Sequence, residues 1–186
     1  MLAGVSADLQ PGVLLLADPS LTDSNFEGSV VLLCAHGAEG SLGLVLNRPL
    51  DFRVDQVLED PGPFQGEEAP MLWGGPVGLD RLHVLHAGAA GAHSFAVCAG
   101  VTFGGAMQEL LRLHQAGAPV RFFLGYSGWD AGQLESELQA DSWRVVPATA
   151  EEVFDARVES LWRRLMAAQD ARYHWMRHAS TDPRAN

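Results

Sequence analysis

Apolar and polar positions divide this chain into short strands and a few amphipathic helices. Val13-Leu14-Leu15-Leu16-Ala17 is an unbroken apolar run stopped by Asp18-Pro19, the pattern of a strand buried on both faces. Ser29 to His36 reads the same way, with Val30, Leu32 and Cys34 on one face and Val31, Leu33 and Ala35 on the other. Gly37-Ala38-Glu39-Gly40 turns the chain into a strand over 42–47, which Pro49 ends. Two strands joined by a short glycine-bearing loop predict a hairpin.

Further along, residues 53–59 fit a short helix, and 61–68 form a Pro/Gly/acidic loop. Strands are expected at 71–73, 82–86, 94–98, 120–126 and 143–146. Met107, Leu110, Leu111 and His114 recur at helical spacing, so 105–116 reads as an amphipathic helix closed by Gly117 and Pro119. Asp130 with Gln133 reads as a variant capping box opening a helix whose Leu134 and Leu138 face inward. Thr149 with Glu152 is a second box. It opens the longest expected helix, with Val158, Leu161, Trp162, Leu165 and Gln169 on one stripe. From about residue 172 the chain is polar and expected to fray. The prediction is an α+β layered fold, a mixed β-sheet with a hairpin flanked by helices, in one domain over residues 1–171 followed by a polar tail over 172–186.

Composition sharpens this picture. A chain of 186 residues, 47% hydrophobic and 19% charged, has a globular profile and room for a sizeable core. Its net charge is −11, and every basic residue is arginine. Such a surface repels a phosphate backbone, so direct nucleic-acid binding is not expected. No apolar run approaches the roughly 18–20 residues of a membrane span. The first ten residues contain an Asp and no basic residue, unlike the start of a secretory leader. A cytoplasmic location is expected, with Cys34 and Cys98 reduced.

Candidate chemistry is sparse. Gly125-Tyr126-Ser127-Gly128-Trp129 sits where a strand is expected to lead into a helix, the context of a nucleophile elbow. Trp129, however, stands where the elbow needs its second small residue. The glycine-rich loop at 37–41 joins two strands and lacks the Lys and following helix of a phosphate loop. Cys34 and His36, at i and i+2 on one strand, could begin a metal site, but no second pair with metal spacing exists. His83 and His86, at i and i+3 on a strand, point to opposite faces. His114 completes the apolar stripe of its helix as a partly buried histidine. The arginines at 157, 163, 164, 172 and 177 read as a solvated helix face and the one candidate surface for an acidic partner. No catalytic set, metal or cofactor is expected.

Four ordered groups of residues carry a resemblance. They are Asp18-Pro19-Ser20-Leu21 with Asn25-Phe26 and Ser29-Val30-Val31; His36 with Glu39-Gly40 and Gly43-Leu44-Val45-Leu46-Asn47; Gly74-Gly75-Pro76-Val77 with Asp80-Arg81 and Val84-Leu85-His86; and Leu124 to Trp129 continuing through Ala131-Gly132-Gln133-Leu134-Glu135. Over about residues 11–168 the chain resembles the AlgH/YqgE family of bacterial proteins. The resemblance implies a cytoplasmic protein with a mixed α/β layered fold, in a family with a provisional label of transcriptional regulator and no established catalytic residues. Before the 105–116 helix, where relatives tend to have a hydroxyl-rich stretch with an acidic residue, this chain has Val97 to Gly105.

The function expected is that of a non-enzymatic regulatory or interaction protein acting through a protein partner. The alternative is a small-ligand-binding or hydrolase-like protein using the glycine-rich motif loops. A shared binding patch would draw on His36, Asn47, Gly75, Pro76, Tyr126, Ser127 and Trp129, several of them at expected strand ends beside tight turns. The net charge makes one outcome firm: a gel shift with duplex DNA at physiological salt is expected to show no sub-micromolar, salt-sensitive binding, and such binding would refute this reading.

Overall fold

A computed structural model describes residues 9–58, 64–66, 69–169 and 173–174. Ten strands make one curled sheet among the described residues. In chain order they are β1 (Val13–Ala17), β2 (Val30–Gly37), β3 (Gly40–Val45), β4 (Pro49–Arg53), β5 (Pro70–Trp73), β6 (Val77–His86), β7 (Ser94–Cys98), β8 (Val101–Gly104), β9 (Val120–Asp130) and β10 (Trp143–Pro147). The main path runs β10-β1-β2-β3-β9-β6-β8-β7, and β4 joins through β5, which pairs with β9. Every pairing is antiparallel except that of β5 with β9. The sheet is therefore mixed, in a single domain dominated by strands.

The helices are α1 (Met107–Gln115), α2 (Gln133–Gln139), α3 (Ala150–Val153) and α4 (Leu161–Gln169). They complete apolar layers that no sheet face could close alone. Leu14, Leu16, Leu32 and Leu44 pack with Leu161, Leu165 and Met166 of α4. On the other side, Val13, Leu15, Val31 and Leu33 pack with Leu134 of α2 and with Trp129 and Trp143. A third cluster holds Leu110 of α1 against Phe64, Met71 and Phe122. Strand β2 thus feeds two cores, as its doubly apolar pattern predicts, although Ala35 is exposed because the register slips between Leu33 and Ala35. That bulge separates Cys34, buried in the core, from His36 on the hairpin, so the two do not make a shared face. The hairpin itself forms, with Gly37 opposite Gly40.

Tertiary pairing changes several local expectations. Residues 53–59 give only a short 3-10 turn, Val54–Gln56. Strands β4 and β8 were not foreseen. Pro49 opens β4 rather than ending a strand, a position where a missing N–H is tolerated. Strand β8 folds back on β7 through Ala99-Gly100, with Cys98 opposite Val101 and Gly100 at φ +75°. Both cysteines carry free thiols.

The long helix expected after Thr149 is interrupted. The capping box forms as predicted, with Thr149 Oγ1 accepting from the Glu152 N–H and Glu152 accepting from the Thr149 N–H. Helix α3 then stops, because the Asp155 carboxylate accepts the Arg157 N–H at 2.8 Å, a side-chain turn that competes with the helix. The chain regains helix at Leu161. Of the expected stripe, Leu161 and Leu165 are buried, Val158 and Trp162 half-buried, and Gln169 exposed. Trp162 is anchored by its Nε1–H, which donates to the Ala17 carbonyl at 2.8 Å. Tyr173, in the segment expected as a tail, has the Arg144 guanidinium over its ring.

Strand β9 is the hub. Its first half pairs with β5 on one side and β6 on the other, and its last residues pair with β3. Gly74 and Gly75 press directly on it. A Cβ on Gly75 would lie 2.2–2.3 Å from the Tyr126–Ser127 peptide, and its φ of +152° also favours glycine. Replacing Gly75 with Ala is expected to lower stability by about 3 kcal/mol or more. Gly37→Ala, with open space around it, should change it by less than about 0.5 kcal/mol. Urea midpoints of the two variants make the comparison, and equal midpoints would refute the close-packing argument.

Candidate functional site

The seven residues expected to share a site fall into separate environments. Gly75, Tyr126 and Ser127 do come together, through the backbone contact just described. Pro76, beside them, is exposed. Ser127 is fully buried inside β9, opposite Gly43, and its Oγ donates to the Gly74 carbonyl at 3.1 Å. It is not at a strand-to-helix turn. Residues 127–130 are held extended by β3, and α2 begins only at Gln133 with Gly132 as its N-cap. The predicted Asp130 cap does not form; only the reverse bond exists, from the Asp130 N–H to Gln133 Oε1. The arrangement is that of a structural clasp, since a buried hydroxyl bonded to a carbonyl has no base to activate it.

Asn47 is also a clasp. Its Oδ1 accepts the Val30 N–H at 2.8 Å and its Nδ2 donates to the Gly28 carbonyl at 2.9 Å, tying the start of β2 to the end of β3. His36 lies at the other end of that strand pair, where Nδ1 is 2.8 Å from Ser41 Oγ and Nε2 is 3.8 Å from Glu135 of α2. The hairpin loop does meet β9, since a Cβ on Gly40 would lie 2.3 Å from the Trp129 carbonyl. That contact too is backbone against backbone.

Trp129 reveals a residue the sequence reading missed. Its Nε1–H donates to Glu137 Oε2 at 2.9 Å, and the Nε1–H of Trp143 donates to the same oxygen at 2.7 Å. Gln133 donates to the other oxygen at 2.9 Å. One half-buried carboxylate thus satisfies two nearly buried indoles from β9 and β10 and fixes α2 over them. Helical spacing of Gln133 and Glu137 was the only available signal, and that spacing alone points to a solvated pair.

Tyr126 leads instead to a continuous run of rings. Its ring meets His83 edge-on at 5.5 Å, His83 lies 5.7 Å from Phe103, and Phe103 stacks on Phe95 at 5.1 Å. At the other end, a Cβ on Gly128 would touch both the Tyr126 ring and Val77. Phe95 is 44% exposed, Val77 39% and Leu79 52%, large values for such side chains. The Nε2 of His83 is buried without a hydrogen-bond partner. Burial, with Arg81 nearby, pushes the His83 pKa below its ordinary value. His86 faces the opposite way, toward Leu110 of α1, and accepts the Gly88 N–H at Nδ1. Among the described residues, no three His, Cys, Asp or Glu side chains gather closely enough to hold a metal ion.

Two measurements follow from these contacts. Glu137→Ala leaves two indole N–H groups without an acceptor and is expected to lower stability by about 2 kcal/mol or more, whereas Glu137→Gln retains an acceptor and loses less. Tryptophan-monitored urea unfolding reads both, and equal losses would refute the clasp. For His83, the depressed folded pKa means that the unfolded chain takes up the proton more readily. Its stabilising contribution is complete above the unfolded value of about 6.5 and is lost as pH falls through and below it. The drop in urea midpoint between pH 7.5 and 5.5 is therefore expected to be smaller for His83→Phe than for the unaltered chain; an equal drop would refute the assignment.

Comparison with known proteins agrees with this architecture. The model of the AlgH-like family matches residues 14–174. A UPF0301 protein of Chlorobaculum tepidum is 38% identical over 183 residues, covering 96% of each chain. One from Cytophaga hutchinsonii is 36% identical, covering 96% of this chain and all of its own. The solution structure of the AlgH protein of Pseudomonas aeruginosa superposes with a TM-score of 0.71 at 31% identity, covering 90% of this chain and 92% of that one. A crystal structure of a Corynebacterium diphtheriae protein shares the fold, with a TM-score of 0.76 at 23% identity and coverage of 91% and 92%. With a family match over most of its length and relatives of this similarity, the chain belongs to the AlgH-like family.

Proposed function

We propose that this chain is a cytoplasmic, non-enzymatic regulatory protein that acts on transcription by docking a partner protein. The observation that carries this reading is the ring-lined surface from Val77 through Tyr126, His83 and Phe103 to Phe95. Val77 and Phe95 are exposed at the two ends of the run, its middle rings are half-buried, and large apolar side chains left this exposed are characteristic of interaction surfaces. The strands beneath it are rigid, so docking needs little reordering. Strand β7, which carries Phe95, is a terminal strand of the sheet, and terminal strands offer backbone groups as well as side chains.

The partner's chemistry follows from the surroundings. At a net charge of −11, a surface with apolar side chains inside a basic rim is favoured, and DNA is not. The buried, clasped state of Ser127 and the scatter of the motif residues give the hydrolase-like reading no support. No described helix is long and apolar enough to cross a membrane, which is compatible with the cytoplasmic location in this proposal.

Phe95→Asp combined with Val77→Asp tests it. Both side chains are exposed, so the fold is expected to survive. A partner crosslinked in the native bacterium to the unaltered chain, identified and purified, is expected to bind it saturably and to lose at least tenfold in affinity for the double variant. A purified partner that binds both equally, or the lack of any saturable partner, would refute the reading.

A further inference from the structure

A second feature lies away from the ring-lined surface, where the break between α3 and α4 meets strands β4, β5 and β9. A cavity of about 330 Å³ is lined there by Met71, Leu72, Val120, Arg121, Phe154 and Val158, among others. It adjoins a more open hollow of about 390 Å³ that shares Pro49, Ala156 and Val158 and adds Arg157, Glu159 and Ser160. The first volume is at the small end of ligand pockets, and its walls are mainly apolar with one charged group, the usual make-up of such sites.

That charged group is incompletely paired. Arg121 donates through Nη2 to the Asp155 carbonyl oxygen, while its Nη1 is buried with no hydrogen-bond partner. The nearest carboxylate cannot serve it, because Asp155 is already engaged. Its Oδ2 lies 3.0 Å from Arg157 Nη2 and 2.7 Å from Arg164 Nη2, and its Oδ1 lies 3.2 Å from Arg157 Nε. Burial pushes the Arg121 pKa down, against the pull of Asp155, but a guanidinium stays charged in proteins. A buried cation with an unmade bond is costly, and an anion that fills it recovers that cost.

We propose that this cavity binds a small organic carboxylate with an apolar body, its carboxylate paired to the Arg121 guanidinium and its body packed against Leu72, Val120, Phe154 and Val158. The chemistry selects this class. Apolar walls reject a fully hydrated anion. Phosphate is such an anion, whereas a single carboxylate on an apolar body matches one guanidinium in an otherwise apolar wall. The cavity would thus give the protein a small-molecule input independent of the partner surface.

The test uses the full chain, with octanoate and phenylacetate as probes, their neutral amides as isosteres, and inorganic phosphate as the polar anion. Calorimetry and ligand-observed NMR are expected to show saturable binding of at least one carboxylate below millimolar Kd, with its amide and phosphate at least tenfold weaker. Arg121→Gln should weaken the carboxylate at least tenfold, while Arg112→Gln on the exposed face of α1 should leave it within twofold. Should Arg121→Gln fail to fold, Val158→Phe fills the cavity from a half-buried turn and is expected to abolish binding with the fold intact. No saturable binding of either carboxylate, amides binding equally well, or unchanged binding in whichever of the two variants folds would overturn the proposal.

Discussion

Strand β9 has to meet β3, β5 and β6 along a single stretch of eleven residues, and the rest of the sheet depends on how closely its backbone can be approached. Around Gly125 the approach is closer than any side chain permits. A Cβ on Gly74 would lie 2.2 Å from the Gly125 carbonyl oxygen, and one on Gly125 would lie 2.6 Å from that of Gly75. In exchange, Gly74 bonds in two directions, donating to Leu124 and accepting from both Val45 and Ser127. These bonds stitch the β1–β2–β3 half of the sheet to the β5–β6–β9 half. The glycines serve close packing between strands, and Ser127 is the polar fastening of that same junction.

Fastenings of this kind recur wherever polar groups are drawn inside. Glu137 holds two indoles, Asn47 holds the ends of β2 and β3, and Asp18 accepts from Arg144 and Ser20. Asp155 gathers Arg157 and Arg164. The grip of Arg157 on Asp155 is fork-shaped, through Nε and Nη2, as only arginine among the basic residues allows. Arg121 and Arg144 each keep a buried nitrogen without a partner, and of the two it is Arg121 that lines the cavity. Its neighbours have taken the acid that would complete it. The exposed Phe95 and Val77 at the ends of the ring run are the second departure from a self-satisfied structure. These two features carry the proposed partner surface and the proposed ligand cavity.

The sequence by itself determined the family and the order of most elements, but not β4, β8 or the break between α3 and α4. Apolar runs marked β1, β2 and the first half of β9, glycine marked the hairpin, and Thr149 with Glu152 marked the start of α3 at its true position. These signals are local: a doubly apolar strand or a capping box is written in a handful of adjacent residues. The same is true of the opposite facings of His83 and His86, which follow from the two-residue period of a strand.

Only the tertiary structure decided what the motif residues do. Nothing local distinguishes a glycine that frees a turn from one that admits a neighbouring strand, so Gly125 to Trp129 read as a turn until β3 was seen to hold it extended. Helical periodicity continued through Asp155, but a side-chain bond to Arg157 ended α3 there. The pairing of two distant indoles on Glu137, the run from Tyr126 to Phe95 and the incomplete pairing of Arg121 all join residues far apart in the chain. Such contacts are set by sheet register and by the helices folding over it, and register is a property of pairs of strands that no single segment encodes.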